Sequence, residues 1–312
     1  MASKIVELFG FSPTDASHRA KNARAHCLCP FVGDGAAPCT KEIGDRSNRI
    51  KSGVCSISDR DGQPVLVCPV RMYANDYRLL KDVATLAFKT ETIELIDGSK
   101  TSTHRSESGK TLVAVFGKAW GGELRLPGRT AVADESGRRI GSVFVDWILA
   151  RLDSDKKLVE FAALEVQTMD TIGSYRQERT AHLSGASFMG KSASPNWANV
   201  NKRILPQLIY KGHLLEREAL CNSGLFFACP EPVYQYILSV LGNDLAAYPI
   251  KNSSLTFCTY HLGTLSEGRP RDLLPSTTKT TTVQQVQIAF SSPKGLPEAG
   301  AYERAIRAAL AK

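Results

Sequence analysis

No apolar run in this 312-residue chain is long enough to span a bilayer. Met1-Ala-Ser-Lys-Ile-Val-Glu-Leu8 also lacks the charged, apolar and small-residue succession of a secretory leader. Together these absences predict a cytoplasmic protein with no membrane partner. Thiols stay reduced there, so the eight cysteines are expected to be buried or metal-bound rather than disulfide-paired. Internal repeats are missing too, which sets solenoids and propellers aside. Acidic residues are in deficit, with 31 Asp and Glu against 39 Lys and Arg, leaving a net charge of +8 and a pI near 9.1. The excess is spread over groups at Arg19–Arg24, Arg46–Lys51, Arg125–Arg139, Arg176–Arg179 and Lys202-Arg203. A distributed basic surplus suits a polyanion, nucleic acid above all, although a basic enzyme without such a partner has the same composition.

Also absent is any Cys-x-x-Cys knuckle, yet five cysteines (27, 29, 39, 55 and 68) fall within the first 68 residues. Cys29-Pro30, Cys39, Gly53-Val-Cys55 and Cys68-Pro69 form a candidate tetrathiolate set, which favours tetrahedral zinc or iron. Cys27 and His26 compete for the first position, and a cluster of unligated thiols remains the plainer alternative. Ligation would give Pro30–Ser52, a stretch short of core residues, its folding energy. Cys221, Cys229 and Cys258 sit in apolar stretches and read as small buried hydrophobes.

What is present, and most informative, is a hairpin. Val143–Leu152 and Leu158–Thr168 are β-branched and aliphatic, and Asp153-Ser-Asp-Lys-Lys157 between them is turn former and charge. If the chain folds about Asp155, Asp146 faces Glu165 across the ladder, with Cβ atoms about 4.5–5.5 Å apart. Glu165 and Gln167 share a face of their strand, opposite Leu164 and Val166. Carboxylates held so close repel, so one binds a proton or a cation lies between them. Oxygen ligands on a stiff sheet suit Mg²⁺, and metal-dependent phosphodiester chemistry follows. Solvated acids on a half-buried strand are the bland alternative.

Elsewhere the patterns predict helices at 16–25, 76–89 and 232–241, with a closing helix at 298–311. Another begins at the cap pair Ser194-Pro195, carries Trp197, Val200, Ile204 and Leu208 on one face, and is interrupted at Pro206. Further strands are expected at 111–117, 123–126, 224–229, 255–261 and 282–290, with a polar loop at 97–110. A mixed sheet flanked by helices is the simplest α/β architecture.

Several strings carry a resemblance: Phe144-Val-Asp-Trp-Ile-Leu-Ala150, Leu164-Glu-Val-Gln-Thr-Met-Asp170 with Gly173-Ser-Tyr175, Gly121-Gly-Glu123-Leu, Asn199-Val-Asn-Lys-Arg203, and the order Cys-Pro, Cys, Gly-Val-Cys, Val-Cys-Pro. From about residue 29 to about 230, discontinuously, the chain resembles NotI-type restriction endonucleases; the last third carries no match. The resemblance implies a PD-(D/E)xK nuclease domain over 76–312, preceded by a loop-rich, DNA-contacting four-cysteine metal segment over 1–75. It places Asp146 and Glu165 at the two acidic positions, Gln167 where most relatives have lysine, and Glu123 at a further active-site carboxylate. Asp146, Glu165 and the carbonyl of Val166 would hold Mg²⁺, with Gln167 orienting the attacking water. Cys29, Cys39, Cys55 and Cys68 would bind iron or zinc. The implied activity is cleavage of double-stranded DNA at a GC-rich palindrome (CGGCCG-like) by a homodimer, beside a cognate DNA methyltransferase. Arg176, Arg179, Lys191, Lys202 and Arg203, downstream of the catalytic strand, are candidates for DNA contact. A metal-bound DNA-binding regulator and a structure-directed repair nuclease are the rival classes.

Overall fold

A computed structural model describes residues 4–33, 35–105, 109–118, 120–126, 143–292 and 296–311. The architecture is mixed α/β. Seven strands form the main sheet: β4 (Ile93–Asp97), β5 (Thr111–Gly117), β6 (Trp147–Leu152), β7 (Leu158–Val166), β8 (Leu225–Pro230), β9 (Ser254–Leu262) and β10 (Leu273–Thr282). Their order is β10-β9-β8-β7-β6-β5-β4. The pairs β4/β5, β7/β8 and β8/β9 are parallel; β5/β6, β6/β7 and β9/β10 are antiparallel. Preceding them, β1 (Ile5–Leu8), β2 (Val54–Ser58) and β3 (Pro64–Leu66) make a small antiparallel sheet.

The central strands are apolar on both faces because helices cover both. Phe226 packs with Val83, Trp147 and Leu149 on one side, whereas its neighbour Phe227 packs with Val233, Ile237 and Val283 on the other. The first side is roofed by α2 (Ala74–Phe88). The second is covered by α4 (Leu205–Leu215), α5 (Glu231–Leu241) and α6 (Val283–Ser291). α1 (His18–Ala25) and α3 (Arg176–Ser184) belong with the amino-terminal segment, and α7 (Ala301–Leu310) buries none of its residues. The small sheet shares the second core. Met169 N donates to Leu66 O (2.9 Å), Ile5 N to Glu178 Oε1 (2.9 Å) and Arg179 Nε to Ser52 O (2.7 Å). Among the described residues no helix is long and apolar enough to cross a membrane.

The hairpin register agrees with the sequence. Trp147 stands opposite Leu164, and the ladder continues to Arg151 opposite Glu160 before one irregularity at Leu152. The expected continuous strand over Val143–Leu152 is broken, however. Val143–Phe144 pairs instead with Arg125–Leu126, and β6 starts only at Trp147. Residues 127–142, including Ser142 and most of the Arg125–Arg139 grouping, lie outside the described residues.

Further expectations are corrected. Ser194-Pro195 does not cap a helix; it bridges to Thr171–Ile172. Pro206, expected to interrupt the helix, stands in the first turn of α4, where its missing N–H costs nothing. A wide turn at Val200–Ile204 precedes it, with Leu205 N reaching back to Val200 O. The segment expected as a strand over 282–290 is instead the helix α6. Thr282 caps it, accepting from Gln285 N (3.1 Å), and Val283 and Val286 enter the core at helical spacing. The strand is the threonine-rich β10 before it, polar because it is the sheet edge. Ile93–Asp97, whose last residue was assigned to the polar loop, is an edge strand too.

Candidate active site and metal centre

Side chains alternate along β6 and β7, and this decides where the acids point. Trp147, Leu164 and Val166 face α2, so Asp146 and Glu165 fall on the opposite face, toward α4. They meet one step beyond the last ladder pair. Asp146 N donates to Glu165 Oε1 (3.3 Å), and Val166 N donates to Asp146 Oδ2 (2.9 Å). Each carboxylate is thus anchored by the other's strand.

Glu165 is largely buried, and burial pushes its carboxyl up to about 7; the Asp146 charge adds to the shift, while Lys211 opposes it. Asp146 as a residue is open to solvent, yet protein crowds its carboxyl, and that desolvation raises its pKa. The Val166 amide and Lys211 pull it back down, Glu123 raises it further and Lys118 lowers it. Glu123 is exposed but near enough for its charge to be felt. Gln167 continues the pairing with β8 through its backbone (N to Ala228 O, 2.9 Å), and its amide donates to Thr168 O (2.6 Å). It lines a cavity of ≈ 510 Å³ together with Lys41, Asp170, Asn199 and Arg203.

Lys211 was not singled out from sequence. Its Nζ lies 2.5 Å from Glu165 Oε1, both side chains being only 12–13% exposed. The signal was there: Lys211 sits between Leu208 and Leu215 in the buried stripe of α4, where a cation needs an acidic partner. Tyr73 closes the far side of the sheet end. Its hydroxyl accepts from Trp147 Nε1 (3.1 Å), and burial, then Asp146 and Glu165, raise its pKa.

The cysteine set converges in part. The Cys55 thiol donates to Gly53 O (3.4 Å), and its interaction with Cys68 lowers the Cys68 pKa and raises that of Cys55. Cys29 and Cys39 feel Cys68, and burial lifts the Cys29 thiol to about 11. Backbone amides reach these sulfurs: Phe31 at Cys29, Lys41 and Gly53 at Cys39, Val70 and Arg71 at Cys68. Such donors favour thiolate, the ligating form. The buried Arg71 adds a positive charge, lying 3.6 Å from Glu7 and over the Phe31 ring. The four are neighbours rather than a closed cage: among the described residues, no three or more His, Cys, Asp or Glu side chains are arranged to hold an ion. Cys27, the competitor, is half-buried and bonds Arg179.

The basic candidates divide. Arg179 is buried, lies over Phe9 and is bonded to Ser52 O, so its guanidinium is committed inside the protein. Arg176 holds Asn48 (2.6 Å), and Arg203 lies 3.6 Å from Asp170. Lys191 and Lys202 are exposed. Compared with known proteins, the chain matches no family model and no curated protein.

Proposed function

We propose that the chain is a Mg²⁺-dependent endonuclease of double-stranded DNA, of the NotI type, built on a PD-(D/E)xK core with a four-cysteine metal segment. The observation that carries this reading is the pair Asp146 and Glu165, cross-anchored at one end of β6 and β7. The donors fit a hard divalent ion: oxygens on stiff strands, with burial raising both proton affinities and a neighbouring carboxylate raising each further, Glu123 at Asp146 and Asp146 at Glu165. Asp146, Glu165 and the Val166 carbonyl would hold it, Glu123 standing nearby. Bound there, Mg²⁺ would polarise the scissile phosphate and supply a nucleophilic water. The β6/β7 ladder fixes both carboxylates, and Lys211 keeps Glu165 turned toward Asp146. Gln167 cannot act as cation or base at neutral pH, so it would serve through hydrogen bonds to water. Cys29, Cys39, Cys55 and Cys68 would take zinc or iron by moving their sulfurs together. A GC-rich palindrome cut by a homodimer, with a methyltransferase protecting the host, completes the proposal.

Incubating the purified protein with GC-rich plasmid and Mg²⁺ tests it. Discrete bands support restriction, a smear points to a nonspecific nuclease, and intact plasmid to a DNA-binding regulator. Asp146→Ala is expected to abolish cleavage while retaining specific duplex binding in a gel-shift assay. Cleavage by that variant at the native rate contradicts the assignment.

A further inference from the structure

We propose that Lys211 is a catalytic residue of the hydrolysis suggested above, its ammonium binding the scissile phosphate while holding Glu165. The inference rests on that reading.

Position speaks first. α4 buries Leu205, Leu208, Gly212 and Leu215, and Lys211 lies on the same inward arc. An ammonium there is desolvated, and an ion pair so placed is often no more stabilising than apolar residues of the same volume. Stability alone therefore gives no reason for a lysine at this point of the helix. Geometry comes second. The ammonium sits on Glu165 Oε1, the oxygen that also accepts the Asp146 amide, so it lies where the two acids are joined. Third is the donor count. An ammonium has three N–H groups, and among the described residues its one acceptor is Glu165, which leaves donors for non-bridging phosphate oxygens.

Charge balance points the same way. Asp146, Glu165 and Glu123, with one phosphodiester, bring four negative charges to the site, and a divalent ion returns only two. Gln167 carries no charge, so Lys211 supplies a third from within the protein, beside Lys118 at longer range. As negative charge builds on the phosphoryl oxygens in the transition state, a fixed ammonium stabilises it without reorganising.

The alternative is that Lys211 serves metal binding alone, as a tether whose preorganising effect outweighs its charge, and the two roles then predict opposite effects on metal binding. A cation beside the ligands repels a divalent ion, whereas a tether preorganises its ligand. The test uses the full-length protein, a duplex carrying the GC-rich site cleaved under single-turnover conditions at saturating Mg²⁺, and calorimetric titration with Ca²⁺ alone. Lys211→Met is expected to cleave about 10²- to 10³-fold more slowly while its Ca²⁺ half-saturation shifts to lower concentration. Lys211→Arg, which keeps the charge, is expected to retain native Ca²⁺ affinity and to recover part of the rate. It also serves as the folded control if the methionine variant melts early. Native cleavage by Lys211→Met overturns the proposal, and so does weakened Ca²⁺ binding in that variant. If the native protein itself cuts no duplex, the hydrolase reading falls and this inference with it; native cutting with an unaffected variant removes this inference alone.

Discussion

Glu165 is held by two opposing influences. Burial and the Asp146 charge push its carboxyl up to about 7, against the pull of the Lys211 ammonium. A proton and a metal ion then compete for the same oxygens near neutral pH. The sign is fixed by the direction of the shift. Above pH 7 the carboxylate is ionised and ready for a cation; below it, a proton must first leave. Calorimetric Ca²⁺ titrations in buffers of different ionisation heat should show close to one proton released at pH 6 and almost none at pH 8. The affinity should fall about tenfold per pH unit below 7. Equal affinities at pH 6 and pH 8 would contradict this account. Of the site's residues, Asp146 and Glu165 were legible because period-two alternation around a charged turn sets the register. Lys211 was not, because helix spacing alone does not say which strand end a buried lysine will meet.

At the scale of elements, α4 is what brings that cation to the acids, and its seating depends on Gly212. A Cβ built there would lie 2.4 Å from Cγ2 of Val283, a buried side chain on α6. The glycine allows α4 and α6 to approach closely. Gly212→Ala gains up to about 1 kcal/mol in helix propensity but overpacks the contact by about 1–3 kcal/mol. We expect a net loss of stability in urea unfolding, accompanied by slower cleavage as Lys211 shifts; an unchanged midpoint and rate would show that the helices can separate freely. α6 also shows why one stretch was misread. Val283, Val286, Ile288 and Phe290 look strand-like as a β-branched and aromatic run, and only the Thr282 cap and the contact with α4 make them helical. Pro206 was misjudged for a related reason: its effect depends on where the helix starts, and a wide turn upstream moved that start.

For the molecule as a whole, the net charge of +8 suits the polyanionic partner proposed above. Arg179 is not part of the exposed surface, but Lys191, Lys202 and Arg203 remain on it. If DNA is the partner, specific-duplex affinity should fall by about 10³-fold or more between 50 and 200 mM salt, as expected when six or more phosphates are neutralised. A salt-independent affinity would set DNA aside. The amino-terminal segment is bound to the rest through Met169, Arg179 and the shared core, so structure around the cysteines bears directly on the end of β7.

Alternation, turn chemistry and apolar runs by themselves determined the central hairpin, its register and the mixed sheet with flanking helices, because these follow from local periodicity. Tertiary structure alone decided the rest. It placed Lys211 on Glu165, took Arg179 out of solvent and made a helix of residues 283–291. Each of those outcomes depends on what a side chain meets across the core, and one-dimensional spacing carries no record of that distance.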